Sequence, residues 1–221
     1  MTERSKIEER LAKAPVVPLI AGDDPALAVK LALALQAGGL TVIEVVMRSK
    51  GALRCMEAIA AETEGIIVGA GTVLTKDQAE AVHDAGSAFI VCPGLVDEIV
   101  EYCLDSDIPV FPGIMTAGEV QRAYALGLRD VKFFPACLAG GVPMLKAFGA
   151  VFGDMRFMPT GGIGASNLGD FLGLPNVIAC GGSWLTPPEL VVAEDFSAIE
   201  QLARQAVQIA DEARNRELCN V

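Results

Sequence analysis

The chain has one histidine, no Cys-x-x-Cys pair, few basic residues and no apolar run of membrane-spanning length. His83 stands in Ala79-Glu80-Ala81-Val82-His83-Asp84, a helical pattern without neighbouring ligands, so it reads as a helix-surface residue and argues against a zinc site. The six cysteines (Cys55, Cys92, Cys103, Cys137, Cys180, Cys219) are irregularly spaced, as expected of reduced thiols in a cytosol. Cys92, Cys137 and Cys180 sit in or beside apolar runs and are expected to be buried small hydrophobes. The segment Thr2 to Leu11 is a charged amphipathic helix rather than a signal peptide. A cytoplasmic protein with no membrane partner is the expectation.

Basic residues number 17 against 28 acidic ones, for a net charge of −11. That balance repels phosphate backbones at long range, which argues against a nucleic-acid partner. A small anionic ligand remains compatible, because a few local donors outweigh a distant, screened field. With 52% hydrophobic and 20% charged residues over 221 positions, the chain has enough apolar surface for a sizeable core.

Short β-branched runs alternate with helical patterns: Val16 to Ile20, Val42 to Val46, Ile66 to Gly69, Ala88 to Val91, Pro109 to Phe111, Val131 to Phe134, Arg156 to Pro159 and Val177 to Cys180. The repeat is roughly 20 to 27 residues. Eight strand-helix units predict a single (β/α)8 TIM barrel over residues 1–221, with an extra N-terminal helix and a long last helix over about Phe196 to Arg216. A doubly wound sheet is the alternative. The runs are nearly all apolar, as parallel strands covered on both faces require. Most end in glycine, proline or hydroxyl residues, which in a barrel would converge on the C-terminal mouth.

Lys132 lies within Asp130-Val131-Lys132-Phe133-Phe134-Pro135, where so apolar a setting gives an exposed lysine little reason to occur. An ammonium in apolar surroundings is destabilised relative to the free amine, and a free amine attacks ketones. The competing reading is an edge-strand lysine facing water or paired with an acid. Strand alternation puts Phe134 on the same face as Lys132. It likewise groups Glu44, Val46 and Arg48. Either Glu44 and Arg48 form a structural ion pair, or Arg48 offers a bidentate fork to a substrate carboxylate while Glu44 shuttles protons. Thr72 would add a hydroxyl donor to the same carboxylate. Thr160-Gly161-Gly162-Ile163 and Gly181-Gly182-Ser183-Trp184 could cradle an anion on backbone N–H groups, although a Gly-Gly pair alone is more often a turn.

These stretches carry a resemblance. From about Ala14 to Trp184 the chain resembles the bacterial 2-keto-3-deoxy-6-phosphogluconate (KDPG) aldolase and 4-hydroxy-2-oxoglutarate (KHG) aldolase family. The resemblance rests on Ile43-Glu44-Val45 with Arg48, Val68 to Leu74, Cys92-Pro93-Gly94-Leu95, Val131 to Ala136, Pro159 to Ile163 and Gly181 to Leu185. It implies a metal-independent class I aldolase needing no cofactor, with a Schiff-base Lys132, a general acid/base at Glu44 and a homotrimeric assembly. It also implies that Arg48, Thr72, Pro93 and Phe134 frame the pyruvate half of a keto-acid substrate, and that Gly161, Gly162 and Ser183 take a phosphate. Thr160 belongs to the same motif. Val46, Cys92, Met115 and Cys137-Leu138-Ala139 depart from the family's usual residues and alter polarity near the mouth. Two other readings stay open: a barrel phosphosugar epimerase or isomerase without a covalent adduct, and a non-catalytic keto-acid binder.

Overall fold

The computed structural model describes residues 2–218, and Cys219 lies outside them. Its strands are β1 (Val16–Ile20), β2 (Val42–Val46), β3 (Ile67–Gly71), β4 (Ile90–Val91), β5 (Val110–Phe111), β6 (Gly113–Ile114), β7 (Asp130–Phe133), β8 (Arg156–Pro159) and β9 (Cys180–Gly182). The helices are α1 (Glu3–Lys13), α2 (Pro25–Ala37), α3 (Ala52–Glu62), α4 (Lys76–Asp84), α5 (Asp97–Asp105), α6 (Ala117–Ala125), α7 (Gly141–Val151), α8 (Leu168–Leu172), α9 (Pro188–Val192) and α10 (Phe196–Leu218). Every strand pairing is parallel. One sheet runs β5-β4-β3-β2-β1-β9 and the other β6-β7-β8, giving an α/β fold with helices packed outside the strands.

Residues chosen by burial explain why the strands form where they do. The outward faces of the strands and the inner faces of the helices make one large cluster that includes Ile43, Val45, Ile90, Val131, Phe133 and Phe157. A smaller inner cluster joins Val17, Val42, Phe89, Val91, Phe111, Met158 and Ala179, and Ile7 and Leu11 of α1 close over it. Strands packed on both sides have no polar face to show, hence the continuous apolar runs.

The fifth run, expected over Pro109 to Phe111, forms β5, and beyond Pro112, which has no N–H to give to a ladder, the chain adds β6. The third strand reaches Gly71 rather than stopping at Gly69, because these glycines are close-approach points rather than breaks. A Cβ at Gly69 would collide with the Phe89 ring. The last strand starts late, at Cys180, with Val177 contributing only an isolated bridge to Phe157.

α10 extends two residues past its expected end and packs through Ile199, Ala203, Ala206, Ala210 and Ala213, a stripe at helical spacing. Small residues permit close contact: a Cβ at Gly38 would strike Ala203 and the Glu200 carbonyl. Arg214 of α10 donates to the Leu11 and Ala12 carbonyls that end α1. At the same end of the molecule, buried Asp130 accepts from Arg156 at 2.6 and 2.9 Å and from Arg4 at 2.7 Å, while Arg156 also reaches Glu8. A cavity of about 310 Å³ lies there, lined by α1 and the N-terminal ends of the strands. Asp130 has its two cations and α1 is anchored through them, so this end reads as structural. Among the described residues, no helix is long and apolar enough to cross a membrane.

Candidate active site

The opposite end, where the strands finish, gathers the polar residues. Glu44 of β2 is fully buried and Lys132 of β7 is 3% exposed, although their strands belong to different sheets. Nζ stands 3.8 Å from Oε1, an ion-pair distance too long for a hydrogen bond. Neither oxygen of Glu44 has a hydrogen-bond partner among the described residues. Burial therefore holds the Glu44 carboxyl above its ordinary range, and the nearby charges of Lys132 and Arg48 offset only part of that rise. An acid whose pKa is raised by a dry interior is better suited to give a proton to a reacting group and take it back.

Local sequence makes the room for this pair. Lys132 is held in register by Gly113 on one side and Met158 on the other, which excludes the edge-strand alternative. Gly71 leaves the space that the Glu44 carboxyl fills, for a Cβ there would overlap Oε1. Phe134 continues the Lys132 face, with its ring centroid 5.2 Å from Nζ. Such a wall excludes water from the amine and presents π-electron density to a cation formed there.

Arg48 and Thr72, just past the ends of β2 and β3, come together: Arg48 Nε donates to Thr72 Oγ1 at 3.1 Å. Thr72 has φ of 58°, a left-handed conformation that strains a β-branched residue by about 1–3 kcal/mol. Its hydroxyl is thereby turned toward the arginine, leaving the rest of the exposed guanidinium available to an anion. Pro93 is half-buried, and its carbonyl lies so close to β6 that position 113 admits only glycine.

Thr160 is 5% exposed, with its hydroxyl buried and without a partner, packed on Gly181 where no side chain would fit. Gly161 and Gly162 follow it with φ of 101° and 81°, which glycine adopts freely. Ser183 is exposed beyond β9, and the Trp184 ring covers Gly182 so closely that a Cβ there would enter it. Of the ten residues singled out from the sequence, Glu44 and Lys132 lie within β2 and β7, and the other eight lie at or just beyond the C-terminal ends of the strands.

The thiols divide. Cys92 is buried with its pKa pushed up to about 12 by loss of solvent, Cys103 likewise, and burial also raises Cys180. Those groups stay protonated and inert. Cys137, expected to be buried, is exposed. It falls on the loop after β7 rather than in the strand, and its Sγ donates to the Gly162 carbonyl at 3.1 Å. Sequence reading also missed Asn167, whose side chain bonds to that same carbonyl. Its one signal was an Asn standing just before a helix.

Comparison with known proteins identifies the family. The family model described as KDPG and KHG aldolase matches residues 7–202. The 2-dehydro-3-deoxy-phosphogluconate aldolase of Treponema pallidum is 41% identical over 203 residues, covering 92% of this chain and 97% of that protein. The KHG/KDPG aldolase of Escherichia coli K12 is 42% identical over 205 residues, covering 93% and 96%. Among solved structures, the Legionella pneumophila KDPG aldolase, with pyruvate captured as a covalent carbinolamine, superposes with a TM-score of 0.87 at 38% identity, over 90% of this chain and 97% of that one. With a family model spanning most of its length and a buried lysine-carboxylate pair where the strands end, the chain belongs to the KDPG and KHG aldolase family.

Proposed function

We propose that the protein is a class I aldolase that cleaves 2-keto-3-deoxy-6-phosphogluconate to pyruvate and glyceraldehyde 3-phosphate, and 4-hydroxy-2-oxoglutarate to pyruvate and glyoxylate. The observation that carries this reading is the dry pair: a buried lysine 3.8 Å from a buried carboxyl whose oxygens have no hydrogen-bond partner among the described residues.

Lys132 Nζ attacks the C2 ketone, and the carbinolamine loses its hydroxyl as water when the Glu44 carboxyl donates a proton. The resulting protonated imine is an electron sink. Glu44, now a carboxylate, removes the C4 hydroxyl proton, and the C3–C4 bond electrons flow into the imine to leave an enamine and a free aldehyde. Glu44 returns the proton to C3, and water adds to the protonated imine and yields a proton to the Glu44 carboxylate, releasing pyruvate and the free lysine amine with Glu44 again in its acid form. Arg48 and Thr72 hold the substrate carboxylate, Pro93 and Phe134 wall the pyruvate half, and Thr160 offers its unpartnered hydroxyl to the polar chain beyond C3. The far phosphate rests on amides near Gly161, Gly162 and Ser183.

Borohydride reduction in the presence of pyruvate tests the covalent step. A mass increment on the peptide carrying Lys132 is expected; catalysis with no trapped adduct would instead favour a non-covalent epimerase or isomerase, and saturable binding without product a keto-acid binder.

The reading extends to architecture. One closed (β/α)8 barrel domain is favoured by the continuity of β5 and β6 through Pro112, whose carbonyl accepts from Lys132 N at 2.9 Å, and by the Phe157–Val177 and Thr160–Gly181 bridges between β8 and the β9 segment. An experimental structure with either seam open would remove it. A homotrimer is favoured by family resemblance and by Leu74, Val96, Met115 and Leu138, exposed apolar side chains on successive strand-to-helix loops. Sedimentation velocity at micromolar concentration is expected to give about three times the 23.1 kDa chain mass; a single monomeric species would contradict it.

A further inference from the structure

Asn167 occupies the residue before α8, a position where asparagine ordinarily caps its own helix, yet its side chain makes no capping bond there. It turns back instead. Oδ1 accepts from Gly164 N–H at 2.9 Å, and Nδ2 donates to the Gly162 carbonyl at 3.0 Å while touching Cys137 Sγ at 3.7 Å. The Cys137 thiol donates to the same carbonyl, and Cys137 N–H takes the Gly161 carbonyl at 3.1 Å. The carbonyls of Gly161 and Gly162 are thus both engaged on the protein side of the loop. Among the described residues, the N–H groups of Gly162 and Ile163 meet no acceptor.

A loop with two glycines at positive φ is costly to hold in one conformation, because glycine loses more freedom on ordering than any other residue. One amide side chain bridging positions 162 and 164 removes that freedom at both ends of the unpaired segment. We infer that Asn167 is a positioning residue: it fixes the carbonyl of Gly162 away from the ligand so that Ile163 N–H, in the same peptide plane, is already aimed at the phosphate when a phosphorylated keto acid arrives. There it joins Gly162 N–H, whose own peptide is held by Cys137 N–H. This rests on the phosphate-loop reading above and adds to it the group that makes the loop rigid. Pre-organisation of this kind shows as affinity for the phosphorylated end and leaves the chemical step alone.

The test is steady-state kinetics of wild type, Asn167→Ala and Asn167→Asp with KDPG and with the unphosphorylated 4-hydroxy-2-oxoglutarate, together with competitive inhibition by inorganic phosphate. Asn167→Ala is expected to raise KM for KDPG and the inhibition constant of phosphate about tenfold, with kcat within about threefold and little change in KM for the unphosphorylated substrate. Asn167→Asp keeps the acceptor for Gly164, loses the donor to Gly162 and adds a negative charge, so it is expected to be worse than alanine toward KDPG alone. Parallel losses on both substrates, tracking a fall in thermal stability, would reduce Asn167 to a structural residue and overturn the proposal, as would unchanged KM values. If wild type itself shows no preference for the phosphorylated substrate and no inhibition by phosphate, the phosphate-loop reading fails instead.

Discussion

Lys132→Ala is expected to lower kcat/KM by about ten-thousand-fold or more while the protein stays folded. The other lysines, such as Lys30 and Lys76, are exposed at the surface, so none stands in for the lost amine. Removing one member of a buried ion pair usually destabilises a protein by stranding the other charge. Here the stranded partner is Glu44, whose carboxyl pKa is already raised by burial, so it is expected to take up a proton rather than unfold the strands around it. Circular dichroism and urea unfolding check the fold, and the pyruvate-borohydride adduct should vanish with the activity. Retained turnover in a correctly folded variant would end the Schiff-base mechanism.

Glu44→Gln is expected to cost about a hundredfold or more in kcat, with imine still trapped but formed slowly. Glutamine has the shape of the acid but neither gives nor removes a proton at working pH, so dehydration, bond cleavage and C3 protonation all lose the same group. Geometry supplies a second route to the same end. In Gly71→Ala the new Cβ must displace the Glu44 carboxyl, so activity should fall without any change in the titratable groups. Full activity in either variant would remove Glu44 from the mechanism.

A pH signature accompanies the glutamine variant. Because the folded-state pKa of Glu44 is raised, the native protein binds this proton more tightly than the unfolded chain does. The associated stability is present below the unfolded value of about 4.5 and is lost as pH rises through the folded value. Glutamine does not titrate. The stability of Glu44→Gln relative to wild type should therefore increase as pH rises through that window, and an unchanged difference by denaturant unfolding would contradict the raised pKa.

How much of this was legible in the sequence depends on how local each signal is. The strand runs were legible because burial on both faces leaves only apolar residues, and Lys132 was legible as the exception within one of them. Thr72 was legible as a donor but its strained φ was not, since backbone strain at a β-branched residue is imposed by surrounding packing. Cys137 was misread because its apolar neighbours resemble strand, whereas the chain has already left β7 for the loop that supports Gly162. Asn167 was missed altogether, because only the three-dimensional course of the loop turns its amide backward onto Gly162 and Gly164.

By itself the sequence determined the alternation of strands and helices, the apolar setting of Lys132 and the family motifs, because periodicity and residue type are properties of the linear chain. Tertiary structure alone decided that Glu44 and Lys132, 88 positions apart and on different sheets, come within 3.8 Å in a space where neither carboxylate oxygen finds a donor. That distance and that dryness set the proton affinity of Glu44, and both are properties of how the strands face one another rather than of any segment of them.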